Sequence, residues 1–150
     1  MKKYMLMVFA LSLLIAAGTH LASAQIQGEI RGNVPFPFYV GNTQLPAGRY
    51  LIRRVEANNP AVLEIRSEDG KVAVLITGRD AQATSTPTKT ELVFKKYGDV
   101  SILSQIFQAG TPLGMELPKL LQEERAAKGG ATSERQSVEA TSSKGATKGQ

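Results

Sequence analysis

The alternation of apolar and polar positions from Val34 to Val40 organises the interpretation of this chain. Four apolar residues there alternate with two prolines and a tyrosine: Val34, Phe36, Phe38 and Val40 against Pro35, Pro37 and Tyr39. A period of two is typical of a β-strand with one buried face. Because proline has no backbone N–H to donate to a neighbouring strand, the two prolines predict that this strand lies at a sheet edge or that they stand at its start.

Five further segments have the length and composition of strands and are bounded by residues that favour turns. They are residues 49–55, 61–66, 71–77, 91–97 and 100–107, and residues 25–33 are a weaker seventh candidate. Turns are predicted at three places: Pro46-Ala47-Gly48 and Ser67-Glu68-Asp69-Gly70, each with a left-handed glycine, and the two-residue loop Gly98-Asp99. The run Val72–Ile76 is apolar without alternation, which predicts a central strand covered on both faces.

Regularly spaced short strands predict one mostly β domain, an antiparallel sandwich or small barrel of six or seven strands with a short C-terminal helix. We expect the β domain to comprise residues 25–116. Pro118 and the apolar Leu117, Leu120 and Leu121 predict a helix over residues 117–129 that docks its leucines on that domain. Residues 130–150 are rich in serine, threonine, glycine, alanine and charge, which predicts a disordered tail.

Residues 1–24 have the three parts of a secretory signal peptide. Lys2 and Lys3 precede the apolar run Met5–Ala17, and Ala22-Ser23-Ala24 is a small-residue cleavage site. We expect cleavage after Ala24 and a mature protein that is periplasmic or secreted, with an uncleaved anchor as the alternative. No later apolar segment approaches the length of a membrane span, so no stable membrane insertion is expected after cleavage.

Absent residue types limit the chemistry of the mature chain. The sequence has no cysteine, and its single histidine, His20, lies in the predicted signal peptide. Nucleophiles that depend on histidine or cysteine are therefore excluded, as are zinc, haem and iron–sulfur sites built from these side chains, and no cofactor is expected. Removal of Lys2 and Lys3 lowers the formal net charge from +5 to +3, and nucleic acid is not an expected partner.

The sequence favours a non-enzymatic exported module that binds an unidentified envelope polymer or exported protein, and it leaves the oligomeric state open. Residues 78–88 form the longest loop between the predicted strands, and loops on a rigid scaffold often carry recognition. Arg79 is the leading candidate contact, with Tyr39 and Tyr97 as further candidates. Two alternatives remain: a hydrolase of envelope or extracellular polymers that uses carboxylates alone, and an accessory or inhibitory domain for another exported protein.

Four motifs resemble those of a group of short exported proteins from acidobacterial-type soil bacteria. They are Val34-Pro35-Phe36, Leu45-Pro46-Ala47-Gly48-x-Tyr50, Phe94-x-x-Tyr97-Gly98-Asp99 and Glu116-Leu117-Pro118-Lys119, so the resemblance spans roughly residues 34–128. It implies an exported β domain and carries over no catalytic residue. Phe107 departs from the pattern, which has tryptophan at that position.

Overall fold

A computed structural model of the chain describes residue 26 and residues 28–56, 59–130 and 132–143. The fold is mostly β, with 61% strand and 5% helix, which confirms the predicted class. The predicted signal peptide, residues 1–24, lies outside the described residues. No helix in the described part of the chain is long and apolar enough to cross a membrane.

Eleven strands and one short helix follow one another along the described residues, against the six or seven strands expected. The strands before the helix are β1 (Glu29–Val34), β2 (Phe38–Val40), β3 (Thr43–Leu45), β4 (Gly48–Glu56), β5 (Asn59–Ser67), β6 (Ala73–Thr77), β7 (Arg79–Gln82), β8 (Thr90–Tyr97), β9 (Val100–Phe107) and β10 (Leu113–Glu116). Helix α1 (Leu121–Lys128) and strand β11 (Glu134–Ser143) complete the described chain.

These strands form one nearly closed, barrel-like sheet. Hydrogen-bonded neighbours follow the order β3-β2-β9-β8-β11-β1-β4-β5-β6. Strand β6 leads through Gly78 into β7, which pairs with β10, and β10 returns to β9. The short β2–β3 hairpin lies beside the first half of β9, where β2 pairs in parallel at Tyr39 and Ile102.

Aromatic side chains fill the interior of this sheet. The ring of Phe38 meets Tyr50 and Phe94 edge to face, with centroids 5.1 and 5.4 Å apart. Phe36 contacts Phe94 in the same way at 5.2 Å. Edge-to-face pairs are favourable because the positive edge of one ring meets the negative face of another. The cluster therefore ties the connection between β1 and β2 to β4 and β8.

The apolar positions of residues 34–40 are largely buried as predicted, but the segment is not one continuous strand. Val34, Phe38 and Val40 are buried, while Phe36 is half-buried against the core. The chain nevertheless leaves the ladder after Val34 and re-enters it at Phe38. Prolines at 35 and 37 lack the backbone donor that a continuous strand needs, so one predicted strand becomes the end of β1 and all of β2.

Two of the three predicted turns contain a glycine with positive φ. Gly70 and Gly98 have φ values of 73° and 58°, which suit the turns after β5 and β8. Gly48 is not among the glycines with positive φ, because it already belongs to β4. Gly41, at 55°, forms with Asn42 the turn between β2 and β3, a hairpin that the sequence interpretation missed.

Strand β6 is not the central, doubly covered strand that its composition predicts. It pairs with β5 and stands last in the described strand order. Leu75 is 64% exposed, whereas Ile76 beside it is buried. The prediction of burial on both faces was therefore wrong. Successive side chains of a strand point to opposite faces of the sheet, and one of these faces can be exposed even when the residues on both are apolar.

The C-terminal region departs most from expectation. Helix α1 begins at Leu121 rather than at residue 117. Leu117 and Leu120 are buried in the irregular segment before it, whereas Leu121 is 63% exposed. Residues 134–143, predicted to be disordered, form β11 between β1 and β8. A strand with two partners gains backbone hydrogen bonds on both edges, and composition does not show this contribution.

Candidate functional site

The leading candidate, Arg79, lies on an outer face of the sheet. The register places Arg79 of β7 opposite Glu116 of β10, and Glu116 opposite Gln105 of β9. Residues directly opposite each other in a ladder share a face of the sheet. Because Met115, the neighbour of Glu116, points into the core, this row of side chains points outward.

The same outer face carries both candidate tyrosines. Tyr39 lies opposite Ile102, which in turn lies opposite Lys95. Tyr97 follows Lys95 by two positions and therefore projects to the same side of β8. The structure thus places all three candidates on one face, but the cleft that contains Arg79 is lined by neither tyrosine.

Arg79 was expected in a loop, and the structure places it in a strand. Residues 79–82 form β7, so the loop that follows comprises residues 83–89. Gly78 makes the corner between β6 and β7, where its backbone N–H donates to the Ala61 carbonyl at 2.8 Å. A Cβ on Gly78 would lie 2.5 Å from Cγ of Met115, so only glycine allows β10 to approach this corner.

A cleft of about 470 Å³ opens at this corner. Its charged lining comprises two cations and two carboxylates: Arg79, Lys119, Glu116 and Glu124. Both Nε and Nη2 of Arg79 donate to Oε2 of Glu116, at 3.2 and 3.1 Å, while 72% of the arginine side chain stays exposed. The guanidinium is therefore oriented by one contact and presents its other N–H groups to the cleft and to solvent.

Tyr97 and Lys95 contact helix α1 and line neither of the two clefts described in this section. Lys95 Nζ lies 2.7 Å from Oε1 of Glu123, and the Tyr97 hydroxyl donates to the same oxygen at 3.3 Å. The Glu123 side chain is only 5% exposed, so this contact fixes the start of α1 over the outer face of β8. The hydroxyl of Tyr97 therefore has a structural partner, and its ring is half-buried.

A second, smaller cleft of about 260 Å³ lies under the loop that follows β7. Its polar lining groups come from the loop and from four strands, β7, β8, β9 and β11: Gln82, Thr84, Ser85, Glu91, Gln105 and Arg135. Nη2 of Arg135 lies 3.5 Å from Oε1 of Glu91 across the floor. The predicted contact loop thus borders a polar cleft, which no sequence motif indicated.

The Leu45–Tyr50 motif has a structural explanation. The Tyr50 hydroxyl donates to the Pro46 carbonyl at 2.7 Å and closes the turn between β3 and β4. Burial raises the pKa of Tyr50 above its usual value of 10, and the negative charge of Asp69 adds to the shift. The tyrosine of this motif is thereby accounted for as a turn anchor.

The described carboxylates are mostly bound to cations. Glu64 is the most enclosed case, since Arg53 Nε and Arg66 Nη2 lie 2.6 and 2.8 Å from its two oxygens. The hydrogen bond from Arg53 lowers the pKa of Glu64 and, with Arg66, outweighs the opposing effect of burial. Hydrogen bonds from Ser67 and from the Lys71 backbone lower the pKa of Asp69 to about 2. Both carboxylates are thus held ionised, and the described residues contain no group of three or more potential metal ligands.

Arg79 is a candidate from the sequence alone, but the residues that surround it in the cleft were not predicted. Glu116, 37 positions further along the chain, accepts the hydrogen bonds of Arg79, and Lys119 lines the same cleft, whereas the sequence shows both only as members of one motif. Glu123 is buried, although a charged side chain is usually exposed. The one available signal was the glycine before Arg79, which marks a close backbone approach in a strand pattern.

Comparison of the chain with models of known families, with curated proteins and with solved structures finds no match.

Proposed function

We propose that the mature chain is a non-catalytic exported module that binds an envelope or extracellular polymer through the cleft at Arg79. The observation that carries this proposal is the geometry of Arg79 itself. Its guanidinium is fixed by Glu116 and yet is 72% exposed at the mouth of a cleft. A positioned, exposed guanidinium is suited to carboxylate or phosphate groups, which it binds through two parallel N–H donors.

The charges around Arg79 favour a polymer of mixed polarity over a simple polyanion. Lys119 adds a second cation to the cleft, while Glu116 and Glu124 add two acceptors for amide or amino groups. The expected charge of the mature chain is modest, so long-range attraction contributes little. Tyr39 and Tyr97 lie on the same outer face but do not line this cleft, so they are secondary candidates for contact with an extended ligand.

Two features support binding over hydrolysis. The predicted mature chain has neither histidine nor cysteine, so in the carboxylate-only alternative a carboxylate would act as the proton donor at neutral pH. That role requires a raised pKa, whereas the two described carboxylates with a clearly shifted pKa, Glu64 and Asp69, have their pKa values lowered. Export would bring the module to such polymers if cleavage occurs after Ala24, which intact-mass analysis of exported material tests directly.

The test is capture of isolated bacterial envelope material on immobilised mature protein, with mass spectrometry of what is retained. Arg79→Ala should lower the recovery markedly. Arg31→Ala is the matched control, because Arg31 is also an exposed strand arginine paired with a single glutamate, Glu29. Equal recovery by the folded Arg79→Ala variant and the parent would reject the site.

A second arm addresses the loop and the catalytic alternative. Residues 83–88 can be replaced by a Gly-Ser linker without touching β7, and a loop contribution would lower recovery further. Hydrolysis of a glycan or peptide panel by the purified protein, abolished by a single carboxylate substitution, would reject the non-catalytic interpretation.

A further inference from the structure

Strand β11 closes the sheet at one position between two strands that are far from it in sequence. Its residues 140–143 pair with β1, and its residues 134–140 pair with β8. It is the last of the described strands, joined to the body through residues 129–133. Without β11, the facing edges of β1 and β8 would present unpaired backbone donors and acceptors to any other strand.

The side chains of β11 anchor it weakly. Ala140 alone among its ten residues is buried, and Val138 packs partly against the core. Its side-chain bonds to β1 are long: Oγ1 of Thr141 and Oγ of Ser143 each donate to a backbone carbonyl at 3.4 Å. Backbone hydrogen bonds therefore supply most of its attachment, and these do not depend on which chain the strand belongs to.

Neighbouring strands already close the core beneath β11. A Cβ on Gly32 of β1 would lie 2.8 Å from Cδ1 of Leu92 on β8, so this leucine reaches across to β1 under Ala140. Ile30 and Leu92 are both essentially inaccessible to solvent. Withdrawal of β11 therefore uncovers less apolar surface than withdrawal of a strand that carries large core residues.

The register also places like charges opposite each other in the β8–β11 ladder. Arg135 faces Lys95, and Glu139 faces Glu91. Like charges at directly opposite positions destabilise a strand pair. Ion pairs of Arg135 with Glu91 and of Glu139 with Lys89 offset this, but both β11 side chains are more than half exposed, and exposed pairs contribute little.

We propose that β11 is an exchangeable strand, and that two copies of this chain associate when β11 of one copy occupies the slot between β1 and β8 of the other. The occupant is a second copy because the slot accommodates residues 134–143 themselves, with small side chains over Gly32 and Leu92. Gly129 and Gly130 precede the strand, and Gly130 has a φ of 78°. Glycines at this position allow the chain to leave the body in a different direction, as exchange of an identical element between protomers requires.

Cysteine pairing tests this proposal directly, because the chain contains no native cysteine. Arg31 and Thr141 lie opposite each other on the exposed side of the β1–β11 ladder. Arg31→Cys protein and Thr141→Cys protein are mixed, incubated and oxidised, with one of the two chains made heavier by a tag. If β11 exchanges, the yield of the mixed disulfide should exceed that of a control pair by about tenfold or more. The reason is that binding of β11 between β1 and β8 of the other copy raises the effective concentration of the two thiols.

The control pair is Asn33→Cys mixed with Arg49→Cys, which are opposite and exposed in the β1–β4 ladder. Strands β1 and β4 are not expected to exchange between copies, so a disulfide between the two chains would form only through random encounters of the molecules. Equal yields of the two mixed disulfides would overturn the proposal. A double variant, Arg31→Cys with Thr141→Cys, should form an intrachain disulfide in the monomer, and its failure to do so would contradict the pairing on which the proposal rests.

A second measurement tests whether weak anchoring causes the exchange. Gln136 faces the core side opposite Phe94, whereas Ser137 beside it is exposed. Gln136→Val adds an apolar anchor and should reduce the mixed disulfide roughly tenfold. Ser137→Val adds the same strand preference at an exposed position opposite Val93 and should reduce the yield much less. An equal effect of the two substitutions would overturn the anchoring argument.

Discussion

Glu64 shows how a single residue on the outer face of a sheet becomes enclosed without entering the core. Its register partner in β4 is Arg53, and Arg66 follows it by two positions in β5, so all three side chains point outward. The two guanidinium groups cover the carboxylate, whose side chain is only 10% exposed. The sequence shows these three charges, but only strand pairing shows that they meet.

Replacement of Glu64 by Gln should lower the free energy of unfolding by roughly 1–3 kcal/mol at pH 7, because charge-assisted hydrogen bonds are lost. The pKa of Glu64 is lowered in the folded state, so its ionised form stabilises the fold at neutral pH. That contribution is present above the unfolded pKa, near 4.5, and is lost as the pH falls through the lower folded pKa. Denaturant titrations from pH 7 to pH 3 should therefore show a flatter acid dependence for Glu64→Gln than for the parent.

Glu68→Gln is the matched control for that measurement. Glu68 pairs with Arg49 near the surface, with 36% of its side chain exposed, and such pairs contribute little. A parallel loss of stability in both variants would indicate a general effect of removing charge.

Gly114 is required by the close approach of β10 to β9. A Cβ at this position would collide with the Phe107 ring and lie 2.5 Å from the Ile106 carbonyl oxygen. We expect Gly114→Ala to destabilise the fold by about 1–3 kcal/mol or more through overpacking. Gly48→Ala should cost nothing, because the nearest atom to its Cβ would be 3.8 Å away. Thermal melting of the two variants checks this, and equal melting would show that β10 can shift.

At the scale of elements, the segment before α1 secures the C-terminal region more than the helix itself does. Leu117 and Leu120 are buried in that segment, and within α1 Glu123 is buried against Lys95 and Tyr97. An eight-residue helix is marginal alone, so these contacts determine whether it forms.

Leu120→Asp should therefore destabilise the fold by roughly 2–4 kcal/mol, since it places a charge at a buried apolar position. Leu121→Asp is the matched control, because Leu121 is 63% exposed and should tolerate the change within about 0.5 kcal/mol. The free energies of unfolding can be compared by denaturant titration. A larger loss for Leu121→Asp would mean that the helix docks through its other face.

At the scale of the whole molecule, β11 joins the two halves of the sheet. It links β1, β4, β5 and β6 on one side to β8 and β9 on the other. A chain that ends at Gly130 leaves the facing edges of β1 and β8 without this partner.

Deletion of residues 131–150 should lower the melting temperature by roughly 10 °C or more, since a loss of each kcal/mol shifts a small domain by several degrees. A synthetic peptide of residues 134–143, added in excess, should restore part of the loss, and a scrambled peptide should not. Unchanged melting of the deletion variant would show that β11 does not contribute to stability.

Local patterns in the sequence determine much of this protein. Burial of Val34, Phe38 and Val40, the glycine turns at 70 and 98, and all the strands from β4 to β9 except β7 follow from side-chain period and turn chemistry. The selection of Arg79 also began in the sequence, from the position of its segment between strands.

The tertiary structure determined what depends on distant partners. Residues 134–143 have a polar composition that cannot form a core, yet two neighbouring ladders make them a strand. Glu116 acquires its contact with Arg79 only because β7 and β10 pair. Leu75 is exposed and Glu123 is buried for the same reason: the closure of the sheet and the course of the chain over it decide which side of each element meets solvent.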